Sequence, residues 1–457
     1  MKFLLNKKNA VILIFLLALA SGFFWNHRAY FKGINTGGDE VYYNAIATDI
    51  LTRHTYTEDG QPTYVEPLYP FFLAAIFWPT NHNIDAVKFV QLFIFGLTAV
   101  LIYLLARSIF GEKIGLVAGI LSAAFYGLAN FTGVLYRENL LVFLCVLMVY
   151  SLNRGSREKR SRFFVISGIM LGLMTLLSST MQFLFIFIIA GFFILFKKQL
   201  PLKSIIWKAS LFFFAFMLTL SPWLIRNKIK EAETGLAIVP RTGSILSVRT
   251  YLMDRLYPEI HKYFLGHIAG YYFAEKIYPD IEMKAFRKYW AVNSRENQLR
   301  DEGHDIYQIN EIMTKESVKK IIEEPHKYVL ISLLAFVDFN NPIVPQRIFN
   351  GNESAYFTFA EGRFPQIPWP VKAGLLVSLR LAWITVFFLI IYAIVKNWKN
   401  FGRLGWMFLV IVYFNAFYSA VHGLPRYATP IYPFYIILAV AGGAAVWSKY
   451  FIKKQPQ

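Results

Sequence analysis

The sequence predicts an all-α polytopic membrane protein of about ten transmembrane helices, with interfacial helices and a mostly helical extracytoplasmic domain. Three observations predict it. Of its 457 residues, 56% are hydrophobic and only 16% charged, where an average soluble domain carries about 25% charged residues. Apolar runs long enough to cross a bilayer recur through the chain. The basic residues behind the formal net charge of +19 fall in short clusters between those runs, the pattern of cytoplasmic loops facing anionic lipid and not of a nucleic-acid partner. The single cysteine, Cys145, lies inside an apolar run. It leaves no intramolecular disulfide or multi-cysteine metal site and reads as a small buried side chain.

The first apolar run, Asn9 to Phe24, follows Lys2, Lys7 and Lys8. Ala18-Leu19-Ala20 resembles a signal-peptide cleavage site. A retained helix is expected instead, because many more spans follow and the charge bias already sets a cytoplasmic N-terminus. Gly37-Gly38-Asp39-Glu40-Val41-Tyr42-Tyr43 then emerges on the opposite side, ahead of a helix through Leu51. Alone, this stretch is what a capped helix start requires: Asp39 can accept from the first free backbone N–H groups, and the glycines let the chain turn. It also sets two adjacent carboxylates at a membrane surface.

Residues 55–66 are polar and turn-rich, and the segment from Glu66 to Trp78 is too short to span and carries Pro67 and Pro70. It reads as an interfacial helix, closing a first outer loop over 26–85. Spans are expected near 86–109, 115–130, 138–153, 162–178, 180–196, 208–225, 371–395, 405–421 and 429–448. If they alternate, each basic cluster lands inside: Arg107 with Lys113, Arg154 to Arg162, Lys197 to Lys208, Lys396 to Arg403, and Lys449 to Lys454. From Arg226 to Lys327 the chain changes character, with 17 Lys or Arg and 15 of the 28 acidic residues. This balance predicts a folded, solvated helical domain on the outer side. The apolar stretch 327–339, ended by Pro342 and Pro345, is read as interfacial, since a crossing there would place Lys396 and Lys399 outside. The chain thus divides into an N-terminal transmembrane module (1–225), an extracytoplasmic domain (226–370) and C-terminal transmembrane helices (371–457).

Few acidic residues lie outside the large loop, and Asp39, Glu40, Glu66 and Glu138 all map to the outer rim. Glu138 follows Arg137 at the outer mouth of a span; an ionisable pair at that depth is either a rim pair capping the helix or functional. In Ser221-Pro222-Trp223-Leu224-Ile225-Arg226-Asn227, Trp223 and Arg226 fit ordinary interfacial anchoring, or Arg226 faces a polar headgroup. His422-Gly423-Leu424-Pro425-Arg426-Tyr427 is a tight outer connection, and its single arginine suits bidentate pairing with phosphate.

In this order and on this side, these motifs make the chain resemble the C-type integral-membrane glycosyltransferases, in the branch of the protein-mannosyltransferase-like and aminoarabinose-transferase-like enzymes. The matching features are Asp39-Glu40 after the first span, Glu66-Pro67-Leu68-Tyr69-Pro70, Glu138, Pro222-Trp223-Leu224-Ile225-Arg226-Asn227, and Arg426-Tyr427 with its following prolines. Glu66 stands where relatives usually carry a second proline. The resemblance implies transfer of a sugar from a polyprenyl-phosphate-linked donor to a glycan, lipid or protein acceptor at the extracytoplasmic face, with inversion.

An attacking hydroxyl needs a general base and a departing phosphate needs positive charge. Under the resemblance Asp39 is the expected base, and Glu40 positions the acceptor or shares that role. Arg426, then Arg137 and Arg226, are expected to bind the donor phosphate. Glu138, Tyr42, Tyr43, Glu66 and Tyr427 are expected to position sugar or acceptor. No cofactor is expected beyond the lipid-linked substrate, and no metal, since the eight histidines show no paired ligand spacing. The rival class is a polytopic transporter or lipid flippase, which would favour charges at mid-membrane and symmetric repeats; neither pattern is visible. The expected location is a bacterial inner membrane with both termini cytoplasmic.

Overall fold

The computed structural model describes residues 6–27, 29–30, 38–60, 63, 65–230, 242–269, 274, 277–279, 289–341, 369–398 and 401–449. Gly37, Pro342 and Pro345 lie outside the described residues. Every element among those described is helical, as the sequence predicts. Two compact units are distinguished. The first comprises Met1–Ile225, Thr385–Tyr413 and Thr429–Gln457; the second comprises Arg226–Ile384 and Phe414–Ala428. Residues 371–457, grouped above as one block, are therefore shared between the two.

The first unit opens with α1 (Lys7–Asn26), capped by Asn6, whose side chain accepts from the Lys8 amide at 3.0 Å. The helix buries a narrow stripe of Ala10, Ile14, Ala18, Gly22 and Asn26, and its small members let neighbouring helices approach closely. Asn26 ends the stripe by donating to the carbonyl oxygens of Gly22 (3.0 Å) and Ala129 (2.8 Å) and to the Thr132 hydroxyl (3.1 Å).

Helices α2 (Asp39–Thr52) and α3 (Leu68–Thr80) lie within residues 26–85, and α4 (Ile84–Phe110) follows. Gly111, at φ +93°, turns α4 into α5 (Glu112–Ala124), which bends by 55° into α6 (Tyr126–Ala129) and one further 3-10 turn. Then come α7 (Glu138–Glu158), α8 (Arg162–Leu177), α9 (Leu184–Phe196) and α10 (Leu202–Lys230). Trp223 of α10 packs edge-on to Tyr56 and Phe71, with centroids 4.9 and 6.5 Å away, which ties this helix to α3 and the segment before it.

Eight described helices are long and apolar enough to cross a membrane, or nine if the bent α5–α6 segment is one crossing. With α8 these make up the ten expected runs. At 16 residues, α8 is only ~24 Å long, short of the ~30 Å hydrocarbon core. Helix α3, 13 residues, is shorter still, as expected of an interfacial segment. The chain is a multi-pass membrane protein.

A carboxylate organises the segment between α2 and α3. Asp49 of α2 is buried and accepts from the Thr57 hydroxyl (2.6 Å) and the Gly60 amide (2.8 Å), with Arg53 at 3.2 Å. Burial pushes this carboxyl up, but the Thr57 and Gly60 hydrogen bonds and the Arg53 charge outweigh it and hold it below the usual aspartate range. A depressed carboxyl contributes stability that is present above its unfolded value, about 3.9, and is lost as pH falls through the lower folded value. Protection of the Gly60 amide, corrected for intrinsic exchange, should fall as pH drops from 5 to below about 3. In Asp49→Asn it should be low throughout; equal protection at both pH values in wild type would contradict this anchoring.

The second unit is built from α11 (Thr242–Leu256), α12 (Ile260–Ala269), α13 (Tyr289–Asp301), α14 (Ile306–Glu323) and α15 (Pro325–Phe339). Part of α16 (Trp369–Lys396), the end of α17 (Phe401–Ala420) and most of the 3-10 turn Pro425–Ile431 complete it, and α18 (Tyr432–Trp447) returns to the first unit. Val248, Leu252, Met253, Leu256, Met313 and Leu334 form the centre of its apolar core. Asp305 caps α14 in a reciprocal box with Gln308. Buried Arg249 donates to the carbonyl oxygens of Ile331 (3.1 Å) and Ser419 (2.7 Å), joining α11 to α15 and the end of α17. At 15 residues, α15 is too short to cross, in keeping with the interfacial expectation.

Candidate active site

Four carboxylates of the first unit stand at the N-terminal ends of three helices. Asp39 and Glu40 occupy the first turn of α2 and Glu138 the first turn of α7, while Glu66 precedes α3 by two residues. Helix N-termini present unpaired N–H groups and the positive end of the dipole, so anionic side chains are favoured there. The cap of α2 is Gly38, not Asp39 as the sequence motif implied. Gly38 adopts φ +87° and ψ −167°, a conformation open essentially to glycine alone. A Cβ at this position would stand 2.6 Å from the Tyr136 hydroxyl oxygen.

Gly38→Ala should therefore cost about 1–3 kcal/mol in backbone strain and displace Tyr136 in addition. Gly111→Ala is the matched control, at φ +93° with nothing within 4 Å of its Cβ. Thermal unfolding in detergent should show the larger loss for Gly38→Ala. Equal losses would mean that the Tyr136 contact contributes nothing.

The sequence left Arg137 to pair with its neighbour Glu138. In the structure its Nη1 meets Glu66 Oε2 at 2.5 Å and donates to the Leu177 carbonyl at 2.7 Å. Glu66 Oε1 accepts from both the amide and the hydroxyl of Ser179, each at 2.9 Å. Both charges are largely buried. This pair joins the starts of α3 and α7 to the link between α8 and α9. Glu40 and Glu138 are also buried, whereas Asp39 is half-exposed. Asp39 is thus the more accessible member of the Asp39-Glu40 pair.

Tyr43, one turn into α2, is buried edge-on against Tyr69 of α3, with ring centroids 4.8 Å apart. Burial pushes its phenol well above 10; Arg137 pulls it down, and Asp39, Glu138 and Glu66 push it further up. Tyr69 is raised by burial and then by Tyr43, Glu138 and Glu40. The Arg137–Glu66 pair and the Tyr43–Tyr69 ring contact bring the starts of α2, α3 and α7 together. Both phenols stay protonated near neutral pH and act as hydrogen-bonding groups, not as bases. Tyr69 donates to Gln91 Oε1 at 2.7 Å, and the Gln91 amide donates to the Val134 carbonyl at 2.8 Å, holding the loop that carries Tyr136 and Arg137.

Tyr42 is 49% exposed. Arg226, Arg426 and Tyr427 belong to the second unit. There Arg226 donates to Asn227 Oδ1 at 2.9 Å. Arg426 lies over the Tyr427 ring at 5.0 Å and donates to its hydroxyl at 3.1 Å. Tyr427 stacks on Tyr418, which stacks on Phe339. Sequence reasoning did not single out Gln91, Tyr136 or Ser179, and it named Tyr69 only within the Glu66–Pro70 motif, with no role of its own. Gln91, a polar residue inside an apolar run, and the hydroxyl series Ser178-Ser179-Thr180 between two runs were the available signals. Among the described residues no group of three or more His, Cys, Asp or Glu is arranged to hold a metal ion.

Residues 60–225 match the family described as dolichyl-phosphate-mannose-protein mannosyltransferase, in line with the resemblance drawn from the motifs. The matched segment contains Glu66, Arg137 and Glu138 and begins after Asp39-Glu40. No curated protein matches the chain. Among solved structures it is similar to the archaeal oligosaccharyltransferase AglB from Archaeoglobus fulgidus in complex with an inhibitory peptide and a dolichol-phosphate. The TM-score is 0.55 at 14% identity, covering 98% of this chain and 51% of that one. The apo form of the Archaeoglobus fulgidus oligosaccharyltransferase gives 0.54 at 15% identity, over 98% and 51%. The form tethered to an acceptor peptide with the NVT sequon gives 0.53 at 13%, over 97% and 50%. The chain shares their fold and spans about half their length.

Proposed function

We propose that this chain, matched over residues 60–225 to a mannosyltransferase family, is a membrane glycosyltransferase. It transfers a hexose or pentose from a polyprenyl-phosphate donor to a glycan, lipid or protein acceptor. The observation that carries this reading is the convergence of Asp39, Glu40, Glu66 and Glu138 at three helix N-termini of a multi-pass scaffold. The shared fold with an oligosaccharyltransferase supports it over a transporter.

In the proposed reaction Asp39 accepts the proton of the acceptor hydroxyl. The new bond from that oxygen to the anomeric carbon forms as the bond to the phosphate oxygen breaks, with inversion, and polyprenyl phosphate leaves. Glu40 and Glu138, buried at the positive ends of their helices, position the groups around Asp39, with Tyr43 beside them. Tyr42, exposed, is left a peripheral acceptor contact. Arg426, oriented by Tyr427, is the first choice for the donor phosphate and Arg226 the second. Arg137 ranks last for that role, because its charge is already met by Glu66. The chemistry calls on no cofactor besides the lipid-linked sugar. The distribution of basic clusters supports cytoplasmic termini with the carboxylates on the outer side, and a bacterial inner membrane is the proposed location.

The test is turnover by purified protein in detergent, given a panel of radiolabelled polyprenyl-phosphate sugars and total membrane extract as acceptor. Release of polyprenyl phosphate from one donor is expected. If no donor binds or turns over, the transporter reading takes its place.

A further inference from the structure

At the other end of the first unit's helices, the last turns of α4 and α7, the start of α5 and the beginning of α1 line a groove of about 730 Å³. Arg157 lies in the last turn of α7 and Glu138 in its first. At 1.5 Å per residue they are ~28 Å apart along the axis, so this groove is separate from the carboxylate cluster.

Four cations line it, Lys7, Arg107, Arg154 and Arg157, against the two carboxylates Glu112 and Glu158. Each carboxylate is taken: Glu112 by Arg107, and Glu158 by Arg154 at 2.5 Å. Arg157 donates to the Ser108 carbonyl at 2.7 Å. Neither Arg157 nor Lys7 forms an ion pair among the described residues. Two positive charges are therefore left over in a concave site. Its floor is held in place: buried Asn153 accepts from the Ser108 hydroxyl at 3.1 Å and donates to the Arg403 carbonyl at 3.2 Å.

From this charge surplus we infer that the groove binds a phosphate group. Two uncompensated cations balance one phosphate dianion or a pair of phosphodiesters, and guanidinium donors match phosphate oxygens in geometry. The source is a lipid headgroup or a free phosphoryl compound. The position at the ends of membrane-crossing helices favours the headgroup.

Native mass spectrometry of the full chain in detergent tests this with phosphatidylglycerol against phosphatidylcholine, and thermal unfolding tests it with inorganic phosphate. The variant is Lys7→Gln with Arg157→Gln. The control, Lys198→Gln with Lys203→Gln, removes the same charge from exposed positions. Phosphatidylglycerol binding should weaken roughly 25-fold in the first, at about fivefold per cation, and stay unchanged in the control. Should the double variant not fold, Lys7→Gln alone is expected to lose about fivefold. If inorganic phosphate stabilises wild type but not the variant, while the two lipids bind alike, the site is a phosphate site fed from solution. Equal losses in variant and control, or no loss for either ligand, would overturn the inference.

Discussion

Asp39→Asn should lower turnover of the lipid-linked donor by about 10²–10⁴-fold and leave donor binding within about twofold, since a base acts on the acceptor proton and not on the donor. Asparagine keeps the shape of the side chain and its place in the first turn of α2, so Gly38 and Tyr136 should keep their arrangement. The profile of turnover against pH separates catalysis from folding. Wild type should lose activity as pH falls through the carboxylate range; the variant should show a low, flat response there. Glu40→Gln serves as the comparison. Buried at the same helix start, Glu40 should change KM more than the shape of the pH profile if it positions and does not abstract. Should Asp39→Asn turn over normally while Glu40→Gln loses the acid limb, the two roles are reversed.

Arg137→Met should destabilise the protein by about 3–5 kcal/mol, because it leaves the buried Glu66 carboxylate without its guanidinium partner while the Ser179 hydrogen bonds remain. Glu66→Gln should cost less: the amide oxygen can still accept from Ser179, and Arg137 retains the Leu177 carbonyl. The combination of Glu66→Gln with Arg137→Met should be more stable than Arg137→Met alone, since no charge is then stranded. Unfolding midpoints of the four proteins in one detergent give this comparison. Additive losses would show that the two side chains do not depend on one another. The same cycle bears on the donor site: if Arg137→Met alone weakened donor binding without loss of stability, Arg137 would be a phosphate ligand after all.

The apolar runs, their lengths and the charge pattern between them were legible from the sequence because hydrophobic length and local charge are one-dimensional properties. The ten helical segments of the membrane-crossing part lie where those runs were expected, and α3 and α15 are as short as interfacial helices should be. The candidate carboxylates were legible too, as rare acidic residues at the rim of an apolar chain. Their partners were not. Arg137 next to Glu138 invites a neighbouring pair, and the structure adds an ion pair with Glu66, 71 residues away, which no local spacing announces. Likewise the cap of α2 belongs to Gly38, since its positive φ and the nearby Tyr136 hydroxyl leave room for no side chain.

By itself the sequence determined the class of protein, the places where it crosses the membrane and the types of residue available for chemistry. Only the tertiary structure decided which helix ends meet, which carboxylate is half-exposed and which are buried, and which arginine charge is already neutralised. Burial and long-range pairing depend on packing between segments far apart in the chain, and no local spacing rule encodes them.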